Sequence, residues 1–226
     1  MKIVILTGAG ISAESGLGTF RDEDGLWTKY DLNEVATPEG FARNPDLVNR
    51  FYNARRGNCA SAAPNAAHEA LARLEKSQHE ITLVTQNVDD LHERGGSNGV
   101  IHMHGGLMQA LCATCHHRWP APPDMHTKDP CPSCGAQATR PDVVWFGEIP
   151  YHMDRIITAI SQCDLFVAVG TSGDVYPAAG LVDMATEVGA DTLEINLAPS
   201  SRASAFTDRR IGPATKTVPT WVDSLL

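Results

Sequence analysis

Aromatic residues are scarce in this chain of 226 residues, at 6%, and no long apolar run stands near its start. The longest one there, Ile3 to Leu6, gives way to Thr7 and Gly8, far short of a signal-peptide core or a membrane span. A cytoplasmic protein without membrane partners is expected. Basic residues are also in deficit: 18 Lys and Arg stand against 27 Asp and Glu, a net charge of -9. That charge repels polyphosphate and attracts basic partners, so direct nucleic-acid binding is not expected and a lysine-rich protein substrate fits. Internal repeats, linkers and low-complexity tracts are absent. With 42% apolar residues, the chain can bury one substantial core and a small satellite.

Cysteine is not used as in a disulfide scaffold. Four of the six cysteines form two CxxC pairs, Cys112 with Cys115 and Cys131 with Cys134, with fifteen residues between the pairs. That spacing matches paired knuckles holding one tetrahedral zinc ion. Four thiolates leave no open position for water or substrate, so the expected role is structural. His116 and His117 read as bystanders, and Cys59 and Cys163 as small buried apolar residues. A nucleic-acid-binding zinc ribbon is the competing reading, but only Arg118 and Lys128 are basic between the pairs.

What is present in quantity is a strand and helix alternation. Lys2–Thr7, Ile81–Thr85, Leu165–Gly170 and Thr192–Asn196 read as buried strands, and Pro64–Glu75 as a helix with Ala67, Leu71 and Leu74 on one face. The expected fold is α/β, a doubly wound parallel, Rossmann-like sheet with a smaller zinc-binding module inserted. The larger part would comprise 1–36, 58–104 and 146–226. The smaller would comprise 37–57, read as helical, and 105–145, which is Pro-rich with little periodicity.

Chemistry gathers in four places. The loop Gly8-Ala9-Gly10-Ile11-Ser12-Ala13-Glu14-Ser15-Gly16 follows a strand; its glycines would let amides approach a pyrophosphate, with Ser12 and Ser15 as further donors, a plain tight turn being the lesser alternative. The segment Gln86-Asn87-Val88-Asp89 leaves a strand at its carboxyl end, where α/β sheets place ligands; Asn87 and Asp89 either bind an amide-bearing ring or cap the next helix. His104, beside Gly105, suits proton transfer near neutral pH. Residues 44–57 read as a helix capped by Asn44 and closed by Gly57, with Val48, Tyr52 and Arg55 on one stripe. Tyr52 and Arg55 either bind a carboxylate, or Arg55 and Arg56 form a solvated pair at the helix end.

Taken in order, Gly8-Ala9-Gly10-Ile11-Ser12 with Ser15-Gly16 and Phe20-Arg21, Thr85 through Asp89, His104-Gly105, the CxxC pairs, Gly170-Thr171-Ser172, Arg140 through Glu148, Glu194-Ile195-Asn196 and Gly212-Pro213-Ala214 resemble the sirtuins over nearly the whole chain. The Tyr52 and Arg55 spacing resembles the bacterial CobB-type class, which also removes succinyl and malonyl groups. The resemblance implies an NAD-dependent protein-lysine deacylase with acyl-lysine proteins or peptides as partners. It releases nicotinamide, free lysine and O-acyl-ADP-ribose. It implies NAD as co-substrate, held by Gly8, Ala9, Gly10, Ser12, Ser15, Phe20, Arg21, Trp27, Gln86, Asn87, Val88, Asp89, Gly170, Thr171, Ser172, Asn196 and Ala214. His104 and Asn87 would be catalytic, His104 as general base. Tyr52, Arg55, Val143 and Phe146 would bind substrate, the strand from Val143 through Glu148 pairing with an extended peptide. Gly18 and Gly106 depart from the family pattern, where proline and glutamate are common. A mono-ADP-ribosyltransferase or a non-catalytic sensor of NAD or acyl-peptide is the alternative.

Overall fold

The computed structural model describes residues 1–18 and 30–226. Its strands are β1 (Lys2–Thr7), β2 (Glu80–Thr85), β3 (Ile101–His102), β4 (Gly105–Cys112), β5 (Arg118–Pro120), β6 (Thr139–Val143), β7 (Leu165–Val169), β8 (Asp191–Asn196) and β9 (Asp208–Ile211). Its helices are α1 (Gly10–Ala13), α2 (Leu32–Val35), α3 (Pro38–Arg43), α4 (Pro45–Ser61), α5 (Ala66–Leu74), α6 (Leu91–Arg94), α7 (Met153–Ile160), α8 (Leu181–Glu187) and α9 (Ala214–Asp223).

β1 explains the architecture. Its side chains alternate across the sheet, so Ile3 and Ile5 join one core with Leu71, Leu74, Val218 and Trp221 from α5 and α9. Val4 and Leu6 join a second core on the other face with Ile156, Ile160, Leu181 and Val182 from α7 and α8. A strand buried on both faces needs neighbours on both edges. The sheet runs β3-β2-β1-β7-β8-β9, with every pairing parallel. The chain leaves β1 for β2 on one side and later reaches β7 on the other, which makes the β1/β7 boundary the topological switch point.

A second sheet, β5-β4-β6, is antiparallel and lies in the stretch of 105–145 whose periodicity is weak. A third core joins Val35, Val48, Phe51, Tyr52 and Cys59 to Leu107, Val143 and Trp145. Two helix boundaries differ from the sequence reading. Asn65, not Pro64, precedes α5 and accepts the Ala67 amide, while His68 Nδ1 accepts the Asn65 amide. Gly57 does not close α4, which continues to Ser61 and buries Cys59 in the third core. Burial outweighs the weak helix preference of a single glycine.

The reading of Arg55 and Arg56 as a solvated pair also fails. Arg56 is buried, donating to the carbonyls of Leu107 at 2.8 Å and Pro123 at 3.1 Å and to Asn53 Oδ1 at 2.9 Å. It ties α4 to the cysteine-bearing module. Among the described residues no helix is long and apolar enough to cross a membrane. Arg56→Met would strand the buried Leu107 carbonyl and leave Asn53 and Pro123 without their charged donor, and is expected to lower the unfolding free energy by about 2–4 kcal/mol in urea titrations. Exposed Arg50→Met, on the same helix, should cost under about 0.5 kcal/mol.

Candidate active site

The loops leaving β1, β2, β7 and β8 converge at the switch point. Gly8 donates its amide to Val169 O at 2.9 Å and Gly10 to Gly170 O at 2.8 Å. A Cβ on Gly10 would sit 2.7 Å from Gly170 Cα, and one on Gly170, at φ +62°, 2.5 Å from the Ile11 amide nitrogen. The glycines are therefore required for contact between the two loops. Gly8 and Gly10 spend their amides inside the protein, leaving Ala9 as the residue from 8 to 12 whose amide has no backbone acceptor among the described residues. Asn65 Nδ2 anchors this loop from below, on Ile11 O at 2.8 Å and Ser15 Oγ at 2.9 Å. Phe20, Arg21 and Trp27 lie outside the described residues.

Buried Ser12 links the two loops beside β1. Its hydroxyl accepts from Asn87 Nδ2 at 3.1 Å and donates to Asp89 Oδ2 at 3.1 Å. Asp89 Oδ1 accepts the Leu91 amide at 3.1 Å, so Asp89 braces the start of α6, as its helix-capping reading expects. Burial raises its pKa against the pull of those bonds. Asn87 caps no helix. The backbone of residues 86–89 is gripped from several sides: Gln86 N donates to Thr7 O, Leu107 N to Val88 O, and Asn87 N to Thr85 Oγ1. Toward β8, Gln86 Nε2 donates to Thr171 Oγ1 at 3.2 Å and Asn196 Nδ2 to Thr171 O at 2.8 Å. Ser172 Oγ accepts the Asp174 amide, and Ala214 opens α9, whose Thr215 amide is capped by Glu14 from the first loop.

His104 stands between β3 and β4. Its Nδ1 lies 3.1 Å from Gln86 O, and because a carbonyl only accepts, Nδ1 carries the proton. Nε2 then keeps its lone pair and has no protein partner among the described residues. Burial lowers the pKa, with the Gln86 carbonyl partly offsetting it, so the ring is neutral at physiological pH. The neighbouring Gly105 is obligatory: at φ +75° its Cβ would fall 2.1 Å from Asp142 O. Gly106 faces open space, and a side chain there would meet nothing within 4 Å.

Tyr52 is buried and its oxygen accepts from Trp145 Nε1 at 3.0 Å. The indole can only donate there, so the phenol keeps its own proton to give. The guanidinium carbon of half-buried Arg55 lies 5.6 Å from the Tyr52 ring centroid and 5.7 Å from that of Phe51. Phenol and cation thus share one wall of the module, as their spacing predicts. The expected strand from Val143 through Glu148 is corrected, because β6 stops at Val143 and a turn follows. Its amides are taken: Val144 N by His104 O, Trp145 N by Glu148 Oε2, and Phe146 N by Ala36 O. Arg140 pins Glu148 through two contacts of 2.6 and 2.9 Å. Phe146 itself is exposed beside this turn.

Cys112, Cys115, Cys131 and Cys134 bring their four sulfurs within 4.8 Å of one another, with Cys112–Cys134 and Cys115–Cys131 at 3.7 Å. Tetrahedral Zn–S bonds of about 2.3 Å require sulfurs about 3.8 Å apart, so the cluster fits one zinc ion. The sequence reading missed a buried polar column beneath the cleft. His92 Nε2 contacts Thr7 Oγ1 at 2.9 Å, Thr7 donates to Thr85 Oγ1 at 2.8 Å, and His68 packs edge-on against His92. Burial pushes the two histidines down to about 4 and about 3, so both are neutral. The pairing of β1 with β2 brings Thr7 opposite Thr85, and the packing of α5 and α6 adds the two histidines.

An open parallel sheet with a polar cleft at its switch point, joined to an all-thiolate cluster on an inserted module, defines a dinucleotide-binding α/β protein with a structural metal site. The chain belongs to the Sir2 family, whose model matches residues 8–177. An NAD-dependent protein deacylase of Caulobacter vibrioides is 58% identical over 100% of this chain and 97% of that protein. A crystal structure of a Sir2 homologue–NAD complex is 38% identical, with a TM-score of 0.91 over 99% of this chain and 88% of that one. A structure of Sir2 bound to acetylated peptide is 29% identical, with a TM-score of 0.85 over 98% and 92% of the respective chains. Stripping the metal with a chelator under reducing conditions is expected to release one zinc per chain and lower the melting temperature, with Cys131→Ser matching the stripped protein. Atomic absorption and thermal unfolding check both.

Proposed function

We propose that the chain is an NAD-dependent protein-lysine deacylase acting on acetyl-lysine and on acidic acyl-lysines such as succinyl and malonyl. The observation that carries this reading is His104, with Nδ1 fixed on Gln86 O and Nε2 unpartnered, next to the gripped segment 86–89, in a chain so similar to curated deacylases. In this reading NAD supplies the ADP-ribose unit that accepts the acyl group, and nicotinamide leaves. Ala9 N and the loop 170–172 hold the phosphates, and Asn196 with Ala214 the adenosine end. Asn87 and Asp89 orient the carboxamide and nicotinamide ribose, so much of the barrier reduction is positioning. His104 Nε2 takes a proton from the ribose hydroxyls, which requires the neutral ring. Tyr52 donates to, and Arg55 pairs with, the distal carboxylate of an acidic acyl group. Phe146 and Val143 flank the acyl-lysine peptide. The zinc stabilises the 105–145 module and takes no part in the chemistry. We place the protein in the cytoplasm, with the cofactor part and the module divided as the sequence suggests.

His104→Ala is expected to abolish deacylation while calorimetry still detects NAD binding. In the wild type, kcat/KM should fall as the pH drops through the lowered pKa of His104, below the ordinary histidine value of about 6.5. Arg55→Met is expected to cut kcat/KM on a succinyl-lysine peptide about tenfold to a hundredfold, with the acetyl-lysine peptide much less affected. Equal losses on both peptides would remove Arg55 from acyl recognition.

A further inference from the structure

His102 is not accounted for by the proposed chemistry. It closes β3 opposite Thr85, two residues before His104. Its Nδ1 lies 3.2 Å from the Asn87 carbonyl oxygen and its Nε2 2.8 Å from Glu93 Oε1 on α6. Both partners accept. A neutral imidazole has one N–H and would have to face one of the two lone pair to lone pair. Only the doubly protonated ring satisfies both contacts. We propose that His102 is a positioning residue, an imidazolium that bridges the Asn87 carbonyl and the Glu93 carboxylate and thereby fixes segment 86–89.

The surroundings favour that charge. Glu93 approaches from α6 and the buried carboxyl of Asp89 from the turn before it. His92, on α6, is neutral and brings no competing cation. Burial opposes ionisation of His102, but Glu93, the Asn87 carbonyl and Asp89 outweigh it and hold the ring above the ordinary histidine range. His104 faces the adjacent carbonyl, Gln86 O, with the same ring nitrogen, but no carboxylate supports it and its pKa goes down. Two histidines on one short stretch thus grip consecutive carbonyls in different protonation states, one cationic as a brace and one neutral as a base. When His102 loses its second proton, Nε2–H stays on the carboxylate, the stronger acceptor, and the Asn87 carbonyl loses its donor. The brace is complete below the His102 pKa and is lost as pH rises through it, whereas the His104 base is available only above its own pKa.

The catalytic consequence rests on the deacylase reading, while the bridge itself does not. The test is a histidine-¹⁵N NMR titration of the full chain and of Glu93→Gln, alongside the pH dependence of kcat/KM for NAD. Glu93 is part-exposed, so this variant keeps the fold. His102 is expected to titrate above His104, and Glu93→Gln to lower the His102 titration by about one pH unit or more while leaving His104 in place. The alkaline limb of kcat/KM for NAD should move down with it. His102 titrating at or below His104, or unmoved in the variant, overturns the bridge. A shifted titration with an unmoved alkaline limb overturns the positioning role. Should the wild type remove no acyl group, the deacylase reading fails, and the NMR comparison still decides the bridge.

Discussion

The hydroxyl of Ser12 is the contact on which the cleft depends. It sits on the loop after β1, while its partners Asn87 and Asp89 sit on the loop after β2. A serine hydroxyl has one proton and two lone pairs, and here the proton goes to the carboxylate while Asn87 donates in. That arrangement fixes which face of the Asn87 amide points where, and gives the second oxygen of the buried Asp89 carboxylate, Oδ2, its donor. Below it, Thr7 and Thr85 repeat the link between the same two strands, and Thr85 takes the Asn87 amide. Because every member is buried, a missing partner would leave a desolvated polar group, so the network holds as a unit.

The glycines impose the second constraint. Gly8 and Gly10 press against Gly170 so closely that any side chain would strike backbone, which joins the loops after β1 and β7 across the switch point. Ser12 closes one side of the cleft and the glycines the other. Histidine side chains then fix the carbonyls of Gln86 and Asn87 from β3 and its junction with β4, and Leu107 fixes that of Val88. Arg56 and the cysteine cluster act at greater distance. They hold the module that carries Leu107 and the Tyr52–Trp145 contact.

Much of this was legible in the sequence where local rules suffice. The apolar runs give β1, β2, β7 and β8, and the CxxC spacing gives a cluster whose sulfurs suit one metal ion. Tyr52 and Arg55 share a stripe because helical periodicity requires it. Elsewhere tertiary packing decides. β3 has two residues and β9 has four polar-rich ones, too little for any periodic signal. Gly57 reads as a stop, but the helix continues because Cys59 has a core to enter. Arg56 looks solvent-facing until Leu107 and Pro123 arrive from a segment more than fifty positions away. Residues 144–148 look like strand but turn, because Glu148 folds back onto Arg140 and the Trp145 amide.

The central claim is that this cleft couples removal of an acyl group to consumption of NAD. The most direct measurement is a mass balance by mass spectrometry on one acetyl-lysine peptide incubated with the protein and NAD. The account requires one nicotinamide and one O-acetyl-ADP-ribose for every lysine freed, and no freed lysine when NAD is omitted. Lysine released without NAD, or acetyl recovered directly as free acetate with the cofactor intact, would contradict it.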